Sequence, residues 1–320
     1  MNKIKDSIKS IKAFAPATCA NVAVGFDILG FSVESLGDYV TLTKRKDKRI
    51  IVESIGSQES LPFTSHENTA SVVVQEFCQA LDLEIGFSIH IEKGIPLCSG
   101  LGGSAASAVA ALVACNSFLT SPLSIQELAH FAALGEKVAC GSAHTDNIIP
   151  CLFGGLTLTY SQNPLKIIKL PIPNLYCILL HPHLHVSTRA AREALNIELA
   201  LTLHVQQSTN LAGFIVALYE NNMTLLKQNL NDVIIEPQRA KFVSQFYEIK
   251  GAALEAGAIG MSFSGSGPTM FAFAETQEKA KEVVCAMQLP LAKMNIQSDY
   301  WIENLNKNGA HVVEEILCNI

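Results

Sequence analysis

No Cys-x-x-Cys pair occurs among the nine cysteines of this 320-residue chain. Scattered at positions 19, 78, 98, 115, 140, 151, 177, 285 and 318, they form neither a disulfide framework nor a zinc site. Most lie in apolar or small-residue stretches, as reduced core thiols do in a cytosolic protein. The Walker pattern Gly-x-x-x-x-Gly-Lys-[Ser/Thr] is also missing, and so is a clean Gly-x-Gly-x-x-Gly dinucleotide fingerprint. Charge is sparse, at 16% of residues, and the balance of 23 basic against 29 acidic side chains leaves a net −6. With no long basic run, a nucleic-acid partner is not expected. The densest positive patch, Lys44-Arg45-Lys46-Asp47-Lys48-Arg49, follows a strand-like segment and reads as a solvated hairpin tip. The longest apolar stretch, around Ala105 to Cys115, is too short to span a bilayer, and no apolar region follows the N-terminal lysines as in a signal peptide. A soluble, cytoplasmic protein with no membrane partner is the expectation.

Apolar residues make up 49% of the chain, enough for one large or two ordinary domains with a substantial core. Strand-like runs at 39–43, 50–53 and 87–92 alternate with helix-like runs at 69–81, 105–119 and 125–140. The last of these starts on a capping box, Ser124-x-x-Glu127. A strand is expected over 154–160, then a turn at Ser161-Gln162-Asn163-Pro164, which places a domain boundary between 162 and 163. The second part reads as a buried strand at 175–181, helices over 188–199, 202–220 and 242–255, then strand, loop, strand, helix and strand to 303. That order predicts an α+β fold in two layers, an antiparallel sheet covered by helices.

The most informative segment is Pro96-Leu97-Cys98-Ser99-Gly100-Leu101-Gly102-Gly103-Ser104-Ala105-Ala106. It joins a strand-like run to an Ala-rich helix-like run. A glycine loop opening a helix leaves backbone N–H groups aimed at one point, beside the positive end of the helix dipole. Such a geometry binds anions, phosphate above all. The alternative is a tight turn that simply requires glycine.

Other polar residues stand where a bland core would not place them. Asn21 and Asp27 punctuate an apolar segment around Gly25, either as turn residues or as ligands. Glu136 shares a helix side with Ala129, Ala132, Ala133, Ala139 and Cys140. A carboxylate in that stripe needs a cation: Mg²⁺, with the Ser104 hydroxyl as second ligand, or a buried pair with Lys93 or an arginine. Residues 141–150 carry five polar side chains within six positions, including His144, Asp146 and Asn147, and read as a functional loop. Arg189, Arg192 and Arg239 are candidates to clamp a carboxylate, with surface ion pairs as the other reading. A second glycine–serine loop, 264–268, would wall the first.

Three separated motifs resemble those of the galactokinase–homoserine kinase–mevalonate kinase–phosphomevalonate kinase (GHMP) superfamily. They are Pro16-Ala-Thr-Cys-Ala-Asn21 with Gly25-Phe26-Asp27, the 96–106 loop, and Ser264-Gly-Ser-Gly-Pro268-Thr. Residues 141–155 and Ser187-Thr188-Arg189-x-x-Arg192 resemble the homoserine kinase branch. The resemblance implies a ribosomal-protein-like α/β N-terminal domain with a left-handed βαβ crossover, a ferredoxin-like C-terminal domain, and a homodimer. It implies transfer of phosphate from ATP to the hydroxyl of L-homoserine, in threonine synthesis, with Mg²⁺. On these positions residues 96–106 would wrap the phosphates, with Asn68 and Lys93 near the nucleotide. Ser104 and Glu136 would hold the metal. Asn21, Asp27, His144, Asp146 and Asn147 would line the ammonium and hydroxyl end, and Arg192 with Arg239 would take the carboxylate. Asn147 stands where mevalonate-kinase-like relatives place an aspartate base, so catalysis by alignment without a dedicated base is expected. Two departures stand out: Gly103 replaces a usual serine, and Val22-Ala23-Val24 replaces a common Leu-Gly-Pro. A GHMP-fold kinase of another small alcohol, or a non-catalytic ligand-sensing relative, is the alternative.

Overall fold

The computed structural model describes residues 3–56, 68–140, 145–196 and 198–318, with the side chains of 55, 56, 135, 136 and 138–140 outside that description. The first elements are two long antiparallel strands, β1 (Ile8–Ala20) and β2 (Leu29–Arg45). There follow β3 (Ile50–Gly56), helix α1 (Thr69–Ala80) and β4 (Gly86–Glu92). β4 inserts between β2 and β3, antiparallel to the former and parallel to the latter. The basic cluster at 44–49 is therefore not a hairpin tip, because the strands flanking it are not neighbours. Asp47 accepts from both Arg45 and Arg49 and holds that turn.

The core dictates the elements that carry the site. Phe87, Ile89 and Ile91 of β4 are buried in strict alternation with Ser88, His90 and Glu92, the period of a pleated strand. Helix α2 (Gly103–Ser117) is buried on nearly every side, and its alanines let α1, β1 and β2 approach closely. Helix α3 (Ile125–Cys140) begins on the expected capping box: the Ser124 amide donates to Glu127 Oε2 at 2.8 Å, and the Glu127 amide to Ser124 Oγ at 3.4 Å. Residues 145–150, expected as part of the 141–150 loop, instead belong to helix α4 (Thr145–Phe153). Its polar first turn hides an apolar remainder that is buried from Ile148 to Phe153.

β5 (Leu156–Gln162) pairs with β2, and β6 (Leu165–Leu170) with β5. The expected boundary after residue 162 thus falls between two strands of the same sheet. The chain then builds β7 (Tyr176–Pro182), α5 (Thr188–Glu193), α6 (Leu201–Glu220), α7 (Met223–Asn229), α8 (Ile235–Arg239) and α9 (Phe246–Glu255). β8 (Gly260–Phe263), β9 (Met270–Ala274), α10 (Gln277–Lys293), β10 (Ser298–Asn304) and β11 (His311–Leu317) complete it. β7 to β10 form a four-stranded antiparallel sheet in the ferredoxin-like order β10-β7-β9-β8. β11 returns to the seven-stranded sheet, pairing with β1.

The fold class is α+β, as expected. The two sheets share a core where Phe31 of β2 meets Phe271 and Phe273 of β9, at ring-centroid distances of 5.6 and 5.3 Å. Glu303 on β10 accepts from the Ser35 amide of β2 at 2.8 Å, a second tie between the sheets. Among the described residues, no helix is long and apolar enough to cross a membrane.

Candidate active site

A cavity of about 420 Å³ opens between the two sheets, and the start of α2 forms its floor. The N-cap is Gly102 in the left-handed conformation at φ 66°, and no side chain caps it. No acidic residue occupies the first turn either, so the positive end of the helix faces the cavity uncompensated. Gly100, at φ 81°, leaves room for the facing wall: a Cβ there would lie 2.6 Å from Ser264 O and 2.7 Å from Gly267 O. The second glycine–serine loop is thus locked to the first. Ser264 Oγ donates to Gly100 O at 2.8 Å, and the Thr269 amide to Ser99 O at 3.2 Å.

A Cβ on Gly102 would overlap Thr18 Oγ1 and sit 2.8 Å from Asn147 Oδ1. Thr18 Oγ1 donates to that Oδ1 at 2.8 Å, which orients the Asn147 amide nitrogen away from Thr18. β1, the phosphate-type loop and α4 therefore meet at one point. Gly30 of β2 lets α4 approach, since a Cβ there would collide with the Asp146 carbonyl.

Asp38 was not singled out from sequence. Its side chain is 0% exposed, and Lys93, 5% exposed, forms an ion pair with it. The same carboxylate accepts from the Gly94 and Ile95 amides at 3.1 Å each and from Ser107 Oγ at 2.8 Å. Lys93 Nζ also donates to Gly103 O at 3.0 Å. One buried carboxylate thereby fixes both the entry to the loop and the first turn of α2. Its partners come from distant segments, which is why the sequence carried no local signal.

Charged groups converge at the other end of the cavity. Asp27, left-handed at φ 61°, accepts from Arg192 Nη1 at 2.7 and 2.9 Å. Asn21 Oδ1 accepts from the Asp27 amide at 3.1 Å, and Asn21 Nδ2 donates to Gly265 O at 3.1 Å. Arg239 is 5% exposed, and its Nη1 donates to Gly265 O at 2.5 Å. Its Nε has no hydrogen-bond partner among the described residues. Burial lowers the Arg239 guanidinium below its ordinary range; Asp27 opposes this and Arg192 adds to it. Asp146 is 4% exposed. Burial first, then the charge of Asp27, push its carboxyl up to about 7. A buried carboxyl in a cleft held so far above its usual range marks a candidate functional group.

Of the residues singled out from sequence, Asn21, Asp27, Asn68, Lys93, Asp146 and Asn147 line this one cavity, with Arg192 and Arg239. So do Pro96, Leu97, Cys98, Ser99, Gly100 and Gly102 to Ala105. Asn68 also caps α1, its side chain accepting from the Ala70 amide at 3.1 Å. Leu101 and Ala106 face the other way and are wholly buried in the core. Arg189 pairs with Glu193 at 2.9 Å on the surface. His144 and the Glu136 side chain lie outside the described residues; the Glu136 backbone belongs to α3. Gly103 has little room for the usual serine, since a Cβ would meet Ile95 Cγ2 and Lys93 Nζ at 3.3 Å. In the first motif Val22 and Ala23 both adopt positive φ, 46° and 57°, so the loop keeps a left-handed turn without the common glycine. Among the described residues, no group of three or more His, Cys, Asp or Glu side chains could hold a metal ion.

Two family models match the chain: GHMP kinases N terminal domain over residues 68–155, and GHMP kinases C terminal over 214–293. The chain is 42% identical over 319 residues to a homoserine kinase of Chloroherpeton thalassium, covering 96% of this chain and 100% of that one. To a homoserine kinase of Xanthomonas campestris pv. campestris it is 39% identical over 308 residues, with 96% and 95% covered. The crystal structure of homoserine kinase from Cytophaga hutchinsonii superposes with a TM-score of 0.93 at 42% identity, covering 98% of this chain and 99% of that one. A likeness of that extent places the chain in the homoserine kinase family of the GHMP kinases.

Proposed function

We propose that the protein transfers the γ-phosphoryl group of ATP to the side-chain hydroxyl of L-homoserine, the step toward threonine that its family implies. The observation that carries this reading is the polarity of one cavity: an uncapped helix N-terminus at one end, and two carboxyl groups beside two guanidinium groups at the other. The first end suits polyphosphate and the second suits a zwitterion.

In this reading the amides of residues 100–105 receive the phosphates, with Asn68 and Lys93 at the nucleotide. Ser104 lines the cavity on the first turn of α2. Two protein oxygens, from Ser104 and Glu136, suit Mg²⁺, which keeps several waters and takes its other ligands from phosphates. When bound, the ion neutralises charge on the transferring group. Asn21, Asp27, His144 and Asp146 take the ammonium and hydroxyl end, and Arg192 with Arg239 the carboxylate. Asn147 has its Oδ1 engaged by Thr18, so its amide orients rather than accepts a proton. The hydroxyl proton then passes to a phosphate oxygen or water, and alignment supplies the rate. An alcohol without an ammonium leaves the buried Asp146 unpaired, a mismatch of roughly 1–3 kcal/mol or more. A cytoplasmic homodimer completes the reading.

An ADP-release assay of the purified protein with homoserine, threonine, serine and mevalonate tests it. Preference for homoserine by about a hundredfold in kcat/KM over the others is expected. Equal turnover of mevalonate would assign another alcohol, and no turnover of any would point to a ligand-sensing relative.

A further inference from the structure

Phe26 directly precedes the cavity residue Asp27, and both carboxylate-binding candidates rest on it. The guanidinium carbons of Arg192 and Arg239 each stand 5.3 Å from the centroid of its ring. These arginines arrive from different elements, α5 and α8, and carry like charges. Among the described residues, Arg192 is otherwise held by Asp27 and Arg239 by Gly265 O. When a substrate ammonium takes Asp27, the ring remains as the support common to both arginines. An aromatic face attracts a guanidinium through its quadrupole and adds no formal charge, so it seats two cations together without neutralising either.

We infer that Phe26 is a specificity-determining positioning residue, whose ring sets Arg192 and Arg239 as a single fork for the α-carboxylate of the amino-acid substrate. The inference rests on the proposed reaction. It adds that recognition of the carboxylate depends on an aromatic ring that itself makes no polar contact.

The test compares wild type with Phe26→Leu, Phe26→Met and Phe26→Tyr, the methionine variant deciding the matter if the leucine variant does not fold. Loss of the ring should raise the homoserine KM by about tenfold, while kcat and the ATP KM move less than about twofold. Phe26→Tyr, which keeps the face, should stay within about threefold of wild type. The inhibition constant of 3-aminopropan-1-ol, homoserine without its carboxylate, should not change in any variant. A purely structural role would weaken both ligands alike. An unchanged homoserine KM in the ring-less variants, or equal losses for tyrosine and leucine, overturns the inference. Failure of wild type to phosphorylate homoserine at all would instead overturn the proposed reaction.

Discussion

Replacing Asp146 by Asn should make the unliganded protein more stable at alkaline pH while weakening its grip on substrate. Burial and the charge of Asp27 raise this carboxyl from 3.8 to about 7. The folded state therefore holds a proton between about pH 4 and 7 that the unfolded state has released, and stability falls as pH rises through that window. At 1.36 kcal/mol per pKa unit the shift amounts to roughly 4 kcal/mol, an upper figure for the penalty above pH 7. An uncharged amide escapes it. Scaled to a chain of this size, a gain of 2–4 kcal/mol corresponds to a rise of about 3–6 °C in Tm. Thermal melts of wild type and Asp146→Asn from about pH 4 to 8.5, without ligand, should nearly coincide at the acid end, separate progressively up to about pH 7 and keep a constant gap above it. Homoserine added at pH 8 should stabilise wild type more than the variant, because its ammonium pairs with the ionised carboxylate. Kinetically, the homoserine KM should rise with a smaller change in kcat. A variant less stable than wild type at pH 8, or a gap that does not depend on pH, would refute the reasoning; a pure kcat loss would make Asp146 a general base.

Asp38→Asn breaks a buried pair with Lys93 and should lower the unfolding free energy by roughly 3–5 kcal/mol in urea titrations; the ATP KM should rise with it, and an unchanged midpoint would remove the pair from the account. Gly102→Ala adds a left-handed penalty of about 1–2 kcal/mol and a collision with Thr18, and should weaken an ATP analogue by about a hundredfold in calorimetry. Phe31→Ala opens the core shared by the two sheets, and should cost on the order of 3–5 kcal/mol by chemical denaturation.

How far these features could be read from sequence depends on whether their partners are local. The 96–106 loop was legible because three glycines stand between a period-two run and an alanine-rich run. The capping box at Ser124 and Glu127 was legible because both members lie within one turn. Asp38 was not, since its partners are the 93–95 turn and Ser107, brought to it by the pairing of β2 with β4 and the packing of α2. Helix α4 was hidden by its polar first turn, where Asp146 and Asn147 serve the cavity instead of solvent. β1 was obscured because from Ala13 onward its residues are nearly all buried on both faces, which erases alternation. Its partner β11 sits at the other end of the chain. Arg192 and Arg239 were legible as two of few arginines, but their convergence on Phe26 needed coordinates.

The most direct measurement is a crystal structure with a non-hydrolysable ATP analogue and homoserine bound. The account predicts phosphate oxygens within hydrogen-bond reach of the 100–105 amides, and the amino acid bridging Asp27 and Asp146 to the arginine fork. Phosphates seated elsewhere, with the mouth of α2 closed by side chains, would contradict it.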